Sequence, residues 1–203
     1  QSVWYYSDIP EDVVDIIEKD LSIKFDPQMG DSRLMGDALN KDKRNSQNAW
    51  VPTNHWLGGF MWHYIERANR ENFLYDLRCI DGESMQYTRY GAGQFYGWHN
   101  DSGLACHYKP ESVGNRTEGR ANDFVNENTE LVRKLSFVLQ LSDADDYEGG
   151  NLQLLDEGGK SYFAPRKRGT VILFDSRTQH RVLPVKAGLR KSIVGWTVGP
   201  RWK

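Results

Sequence analysis

Residues 169–196 read GTVILFDSRTQHRVLPVKAGLRKSIVGW, two strand-forming runs divided by turn signals. The first run, 169–174, is apolar and β-branched. A polar turn over 175–179 leads to His180, and the second run begins at Arg190. Each run is short and bounded by Gly or Pro, which argues for strands rather than a buried helix. Moving toward the N-terminus, 134–141, 151–155 and 161–164 repeat the pattern. Gly149-Gly150 and Gly158-Gly159 punctuate it as turns or bulges. Segments 73–80, 84–90 and 94–99, rich in Tyr, Phe, Met and Thr, extend it further, broken at Asp81-Gly82 and Gly91-Ala92-Gly93.

Helices come first in the chain. Asp8 is placed to cap one, with Pro10 in its first turn and Glu11 completing a capping box. Val13, Ile16, Ile17 and Leu21 form its apolar stripe. A polar loop is expected over 30–48, where Lys41, Lys43 and Arg44 read as a solvated basic run. A second helix is expected from about 56 to 69, with Trp56, Phe60, His63 and Tyr64 on its buried side, although Gly58 and Gly59 weaken it. Residues 107–132 are strongly polar and read as an insertion, of the kind that forms lids or disordered segments. Two helices followed by many short strands predict an antiparallel sandwich or barrel with helices outside.

The 203 residues suit one domain: a helical support region over 1–72 and a β core over 73–203 carrying the polar insertion. A net charge of -2 argues against a nucleic-acid coat protein, because phosphate binding leans on a basic excess. No apolar run is long enough to span a bilayer and no secretory signal is visible, so no membrane partner and a cytoplasmic location are expected. Cys79 and Cys106 then read as two reduced thiols.

Five histidines are present: His55, His63, His99, His107 and His180. His99 and Asp101 form a His-x-Asp pair after the aromatic run 94–98, and alternate residues of a strand share a face. Two ligands hold a metal poorly, and His180 is the natural third. Two histidines and a carboxylate cover one face of an octahedral ion and leave three positions open, the donor set of non-haem iron(II) oxygenases. Zinc is the competing metal, but the helical His-Glu-x-x-His spacing is absent. Arg190, ten positions after His180, suits a bidentate grip on a carboxylate, and Ser192 shares its strand face.

The stretches YGAGQFYGWHND (90–101), RKLSFVLQLSDADDYEGGNLQLLD (133–156) and residues 169–196 together resemble the prolyl 4-hydroxylase-like branch of the Fe(II)/2-oxoglutarate-dependent dioxygenases. The resemblance covers roughly residues 84–198. It implies a double-stranded β-helix, the jelly-roll or cupin-like core, with flanking helices. It implies iron on His99, Asp101 and His180, and 2-oxoglutarate anchored by Arg190 with Tyr90, Ser192, Gln140 and Trp196 nearby. Ser136, Val138 and Gln140 share one strand face toward that co-substrate, and some relatives carry tyrosine near Gln140. The implied reaction consumes O2 and 2-oxoglutarate, releases succinate and CO2, and hydroxylates an unactivated C–H bond, with ascorbate supportive. The implied substrate is a prolyl residue of a protein or peptide. Hydroxylation of a free amino acid or other small molecule stays open. A nucleic-acid demethylase is disfavoured, since Trp196 stands where that branch carries a second arginine. A zinc hydrolase lacks an obvious general base, and a non-catalytic jelly-roll would not need the full ligand set.

Overall fold

A computed structural model describes residues 1–34, 39–102, 105–107 and 130–203. Most of the polar insertion expected over 107–132 lies outside the described residues. Strand β1 (Val3–Tyr6) and helix α1 (Glu11–Phe25) open the chain, followed by the short β2 (Gly30–Asp31), β3 (Arg44–Asn45) and β4 (Gln47–Pro52). After α2 (Trp56–Ala68) come β5 (Cys79–Ile80), β6 (Ser84–Tyr90), β7 (Phe95–His99), β8 (Ala105–His107) and β9 (Glu130–Gln140). The chain then runs through β10 (Tyr147–Gly149), β11 (Leu152–Leu155), β12 (Ser161–Phe163), β13 (Val171–Asp175), β14 (His180–Val182), β15 (Val185–Gly188) and β16 (Arg190–Pro200).

The larger sheet runs β1-β13-β9-β16-β6-β4-β2, with β5 on β16 and β8 on β9; the smaller runs β12-β11-β14-β7-β3. All pairings are antiparallel. This is the expected jelly-roll with helices outside. Period-two alternation sorts the side chains. Leu135, Phe137 and Leu139 of β9, Val171 and Leu173 of β13 and Ile193 of β16 join Val14, Ile17, Leu21, Leu57, Met61 and Ile65 of the helices in one core. Val138, Ile172 and Phe174 face the other way and meet Leu152, Leu154 and Val182 of the smaller sheet. The second core is the smaller, and the inter-sheet space it leaves holds polar residues.

Gly195 illustrates how tight the first core is. It lies opposite Phe137 across β16 and β9, and a Cβ there would fall 2.3 Å from Phe137 Cζ. Gly195→Ala is expected to destabilise the fold by about 1–3 kcal/mol, as overpacking does, measurable by denaturant unfolding.

Several local expectations need correction. No side chain caps α1; its first turn hangs on the Pro10 carbonyl, which accepts from Val13 and Val14 N–H at 3.0 and 3.2 Å. The predicted Asp8–Glu11 capping box therefore does not form, and Glu11 and Asp12 suit the helix N-terminus by charge alone. The buried stripe is Val14, Ile17, Leu21 and Phe25, and Ile16 is exposed. On α2 the buried side is Leu57, Gly58, Met61, Ile65 and Ala68, while Trp56 and His63 are exposed. Gly58 is what rotates that face inward, because a Cβ there would meet the Thr53 carbonyl at 2.3 Å. Residues 73–78 are not strand: the end of α2 runs on to Phe73, and the Asn69 amide grips Tyr75 N and O at 2.8 and 2.9 Å. Within the stretch expected as a loop over 30–48, β2 pairs with β4 in the larger sheet and β3 with β7 in the smaller, so the first 72 residues supply strands as well as helices.

Asp20 joins the helices to each other. Its Oδ2 accepts from His55 Nε2 at 2.6 Å and Trp56 Nε1 at 2.8 Å, and Lys24 lies 2.9 Å from Oδ1. His55 Nδ1 accepts from Leu57 N–H, so the ring proton sits on Nε2. The Lys24 hydrogen bond, opposed by burial and aided by Trp56 and His55, holds Asp20 down to about 2 from 3.8. A depressed carboxylate adds stability that is complete above the unfolded value and lost as pH falls through the folded one. The stability gap between wild type and Asp20→Asn should therefore be constant above about pH 5 and close between about pH 4 and 2, as acid titration followed by circular dichroism would report.

Candidate metal centre

Strands β7 and β14 pair so that His99 stands directly opposite His180. Each imidazole is aimed by its own backbone: His99 Nδ1 meets the Gly97 carbonyl at 2.7 Å and His180 Nδ1 the Thr178 carbonyl at 2.9 Å. A carbonyl only accepts, so each proton sits on Nδ1 and each Nε2 lone pair is left for a ligand. Both Nε2 atoms face Asp101, at 3.6 Å from Oδ1 for His99 and 3.4 Å from Oδ2 for His180. The three ligand atoms lie within 4.8 Å of one another.

Asp101 reaches this point by a route that strand alternation does not supply. Strand β7 ends at His99, and the Asp101 N–H donates to the Ser176 carbonyl at 2.8 Å, in the turn leading to His180. One turn thus fixes two of the three side chains. Asp101 and His180 are buried, and His99 is nearly so. Burial, with His180 beside it, pushes His99 down to about 4, so it is neutral and available as a ligand near neutral pH. Burial alone would raise Asp101, but the two imidazoles and the Ser136 hydroxyl outweigh it and hold the carboxyl below its usual range. Tyr96 stacks on His99 at 3.6 Å between centroids, and Phe174 packs edge-on against His180 at 4.7 Å.

The other residues singled out from sequence divide into two groups. Tyr90, Arg190 and Trp196 line one enclosed pocket with the triad, together with Val138, Leu152, Phe174 and Val182. Gln140 and Ser192 share the sheet face of these residues but do not line the pocket. Gln140 Oε1 accepts from Arg190 NH2 at 3.1 Å while its Nε2 donates to the Pro165 carbonyl at 3.2 Å. Arg190 is 2% exposed, and no carboxylate among the described residues pairs with it. Its Nε, the Ser192 hydroxyl and the Trp196 Nε1 are buried without a hydrogen-bond partner, although Trp196 is close enough to Asp101 to help keep it ionised. A buried guanidinium without a counter-charge is costly. The pocket therefore has a metal-type donor set at one end and an unmet demand for an anion at the other, which fits a small carboxylate co-substrate spanning the two.

Sequence reasoning missed Arg44. It is 6% exposed rather than solvated, donating to Ser46 Oγ and Gln86 Oε1 at 3.0 Å each, and its Cζ lies 4.6 Å over the Tyr96 ring. Its register partner on β7 is Tyr96, three residues before His99. Residues 44–48 are all polar and 49–51 are consecutively apolar, so the sequence carries no alternation that would have flagged it. Arg44 lines both the enclosed pocket and a cleft of about 780 Å³ outside it, which Trp50, Asn100, Arg133 and Trp196 also border.

Comparison with known proteins gives a consistent picture. Residues 85–198 match the family model described as the 2OG-Fe(II) oxygenase superfamily. A PKHD-type hydroxylase of Synechococcus sp. strain CC9902 is 37% identical over 115 residues, 56% of this chain and 40% of that protein. A PKHD-type hydroxylase of Synechococcus elongatus is 32% identical over 155 residues, 74% of this chain and 59% of that protein. The chain thus spans about half the length of these curated relatives. Among solved structures, a Pseudomonas putida prolyl-4-hydroxylase superposes with a TM-score of 0.69 at 18% identity, covering 97% of this chain and 92% of that one. A Trichoplax adhaerens prolyl hydroxylase, solved with a hypoxia inducible factor peptide fragment, gives 0.68 at 17% identity, with 97% and 83% covered. No helix among the described residues is long and apolar enough to cross a membrane.

Proposed function

The chain belongs to the 2OG-Fe(II) oxygenase superfamily, and from that premise we propose that it hydroxylates prolyl residues of a peptide or protein with iron(II), 2-oxoglutarate and O2, ascorbate supporting turnover. The observation that carries the reading is one buried pocket holding His99, Asp101 and His180 at one end and the uncompensated Arg190 at the other. When bound, iron supplies oxygen activation, coupling decarboxylation of 2-oxoglutarate to succinate and CO2 with transfer of one oxygen atom to a C–H bond.

The chain's own residues do the rest. The Nε2 atoms of His99 and His180 and the Asp101 carboxylate would hold the metal. Arg190, backed by Gln140 and beside Tyr90, receives the remote carboxylate of 2-oxoglutarate as a charge-assisted pair. Val138, Leu152, Phe174 and Val182 exclude water from the reacting centre. The outer cleft, about 780 Å³ and open to solvent, has room for an extended chain as substrate. Arg44 and Trp196 sit at the junction of pocket and cleft, where a substrate carbonyl would pass. Residues 1–72 form part of the same domain in this reading, since their strands complete both sheets.

The test is succinate formation by the purified protein with iron(II), 2-oxoglutarate, ascorbate and O2, with and without Pro-containing peptides, and mass spectrometry for addition of one oxygen. Peptide-stimulated succinate release is expected. Absence of both metal and 2-oxoglutarate binding would sink the proposal. Arg44→Ala is expected to lower peptide kcat/KM by about ten- to a hundredfold, the worth of a hydrogen bond from a charged donor, while metal affinity holds.

A further inference from the structure

We propose that Ser136, held by Ser176, is a positioning residue that confines Asp101 to ligation of the metal through one oxygen, keeping a coordination position open for the co-substrate; this rests on the oxygenase reading above. Ser136 is on β9 and directs its hydroxyl to Asp101 Oδ2 at 2.6 Å. Its only O–H is spent there, so the contact to Ser176 Oγ at 3.1 Å must be donated by Ser176. Both serines are buried, at 1% and 0% exposure. Ser176 is itself fixed: its N–H donates to the Lys134 carbonyl at 3.0 Å, and its carbonyl accepts the Asp101 N–H at 2.8 Å. The relay therefore reaches Asp101 from both its backbone and its side chain.

The chemistry follows from counting positions. Three protein donors leave three sites on an octahedral ion, two for a chelating 2-oxo acid and one for O2. An aspartate that chelated with both oxygens would take one of the three. A short hydrogen bond occupies one lone pair of Oδ2, which also lies 3.4 Å from His180 Nε2, and fixes the carboxylate plane, so that Oδ1, 3.6 Å from His99 Nε2, is the less encumbered donor. The serine pair thus acts on the metal through Asp101; Ser136 also lines the pocket, while Ser176 stands outside it.

The experiment loads wild type, Ser136→Ala, Ser136→Thr and Ser176→Ala with Mn(II). It measures Mn(II) affinity, water-proton relaxation by the bound ion, and 2-oxoglutarate affinity of the loaded protein. For Ser136→Ala, Mn(II) affinity is expected to hold or rise and relaxation to fall by about a third, one of three coordinated waters. Its 2-oxoglutarate affinity is expected to fall about tenfold, within the usual effect of groups that orient metal ligands. Ser136→Thr, which keeps the hydroxyl, should restore wild-type values, and Ser176→Ala should fall between. Opposite movement of the two affinities is the signature that a merely structural role would not give. Two outcomes overturn the proposal while leaving the metal site standing: unchanged 2-oxoglutarate affinity in Ser136→Ala, or a parallel loss of both affinities together with thermal stability. Failure of wild type to bind Mn(II) would overturn the oxygenase reading and this inference with it.

Discussion

His180→Ala will lose metal binding by at least about a hundredfold, and succinate release will fall below detection. Groups that only orient metal ligands are worth ten- to a hundredfold in affinity, roughly, and a direct donor is worth more. The loss is not shared out among neighbours. Among the described residues, no other group of three His, Cys, Asp or Glu is arranged to hold a metal. The fold should survive. His180 pairs through its backbone with His99 and Leu154, and neither contact needs the imidazole. Metal titration beside far-ultraviolet circular dichroism separates the two possibilities. A variant that stays folded and binds metal as well as wild type would remove His180 from the ligand set.

The second large effect has two parts with opposite signs. Arg190→Met should weaken 2-oxoglutarate binding by about a hundredfold or more, the roughly 2–5 kcal/mol that follows when one member of a buried charge pair is removed. The same change should leave the protein without co-substrate as stable as wild type or more so. Arg190 is 2% exposed, with an orphaned Nε, and bonds only to the neutral Gln140 amide among the described residues. An apolar side chain of similar length removes that uncompensated charge. Arg190→Lys should not rescue binding, because a single ammonium cannot reproduce a planar two-pronged grip. Thermal melting with and without 2-oxoglutarate measures both signs. Equal ligand-induced stabilisation in wild type and Arg190→Met would exclude the anchoring role.

Much of this centre was legible in sequence because its parts sit in regular strands. Arg190, Ser192 and Trp196 fall on one face of β16 by alternation, and Ser136, Val138 and Gln140 on the facing side of β9, so register did the rest. The helices were read at the right places with their faces partly right: Ile17 and Leu21 are buried and Phe60 and Tyr64 pack against the core, while Ile16, Trp56 and His63 are exposed. Apolar spacing locates a helix, but which side is buried depends on partners: Gly58 against the Thr53 carbonyl, and the Asp20–His55 link, turn α2 so that Trp56 is left outside. Arg44 was hidden for a related reason. A basic run reads as solvated unless something nearby offers a guanidinium a ring and two acceptors, and Tyr96, Ser46 and Gln86 come from three different segments. Asp101 was found for a partly mistaken reason, since its direction comes from the Ser176 carbonyl rather than from continued strand geometry.

The carbonyls of Gly97 and Thr178 aim the two imidazoles at the point they share with Asp101. A socket of two imidazoles and a carboxylate does not rank ions by usefulness. Affinities for such a site rise from manganese through iron to copper, with zinc also above iron. Which ion occupies it is then decided by supply and exchange rate. Protein purified without control of metal would carry zinc, nickel or copper in place of iron, and its apparent activity would record the history of its buffers as much as the quality of its active site.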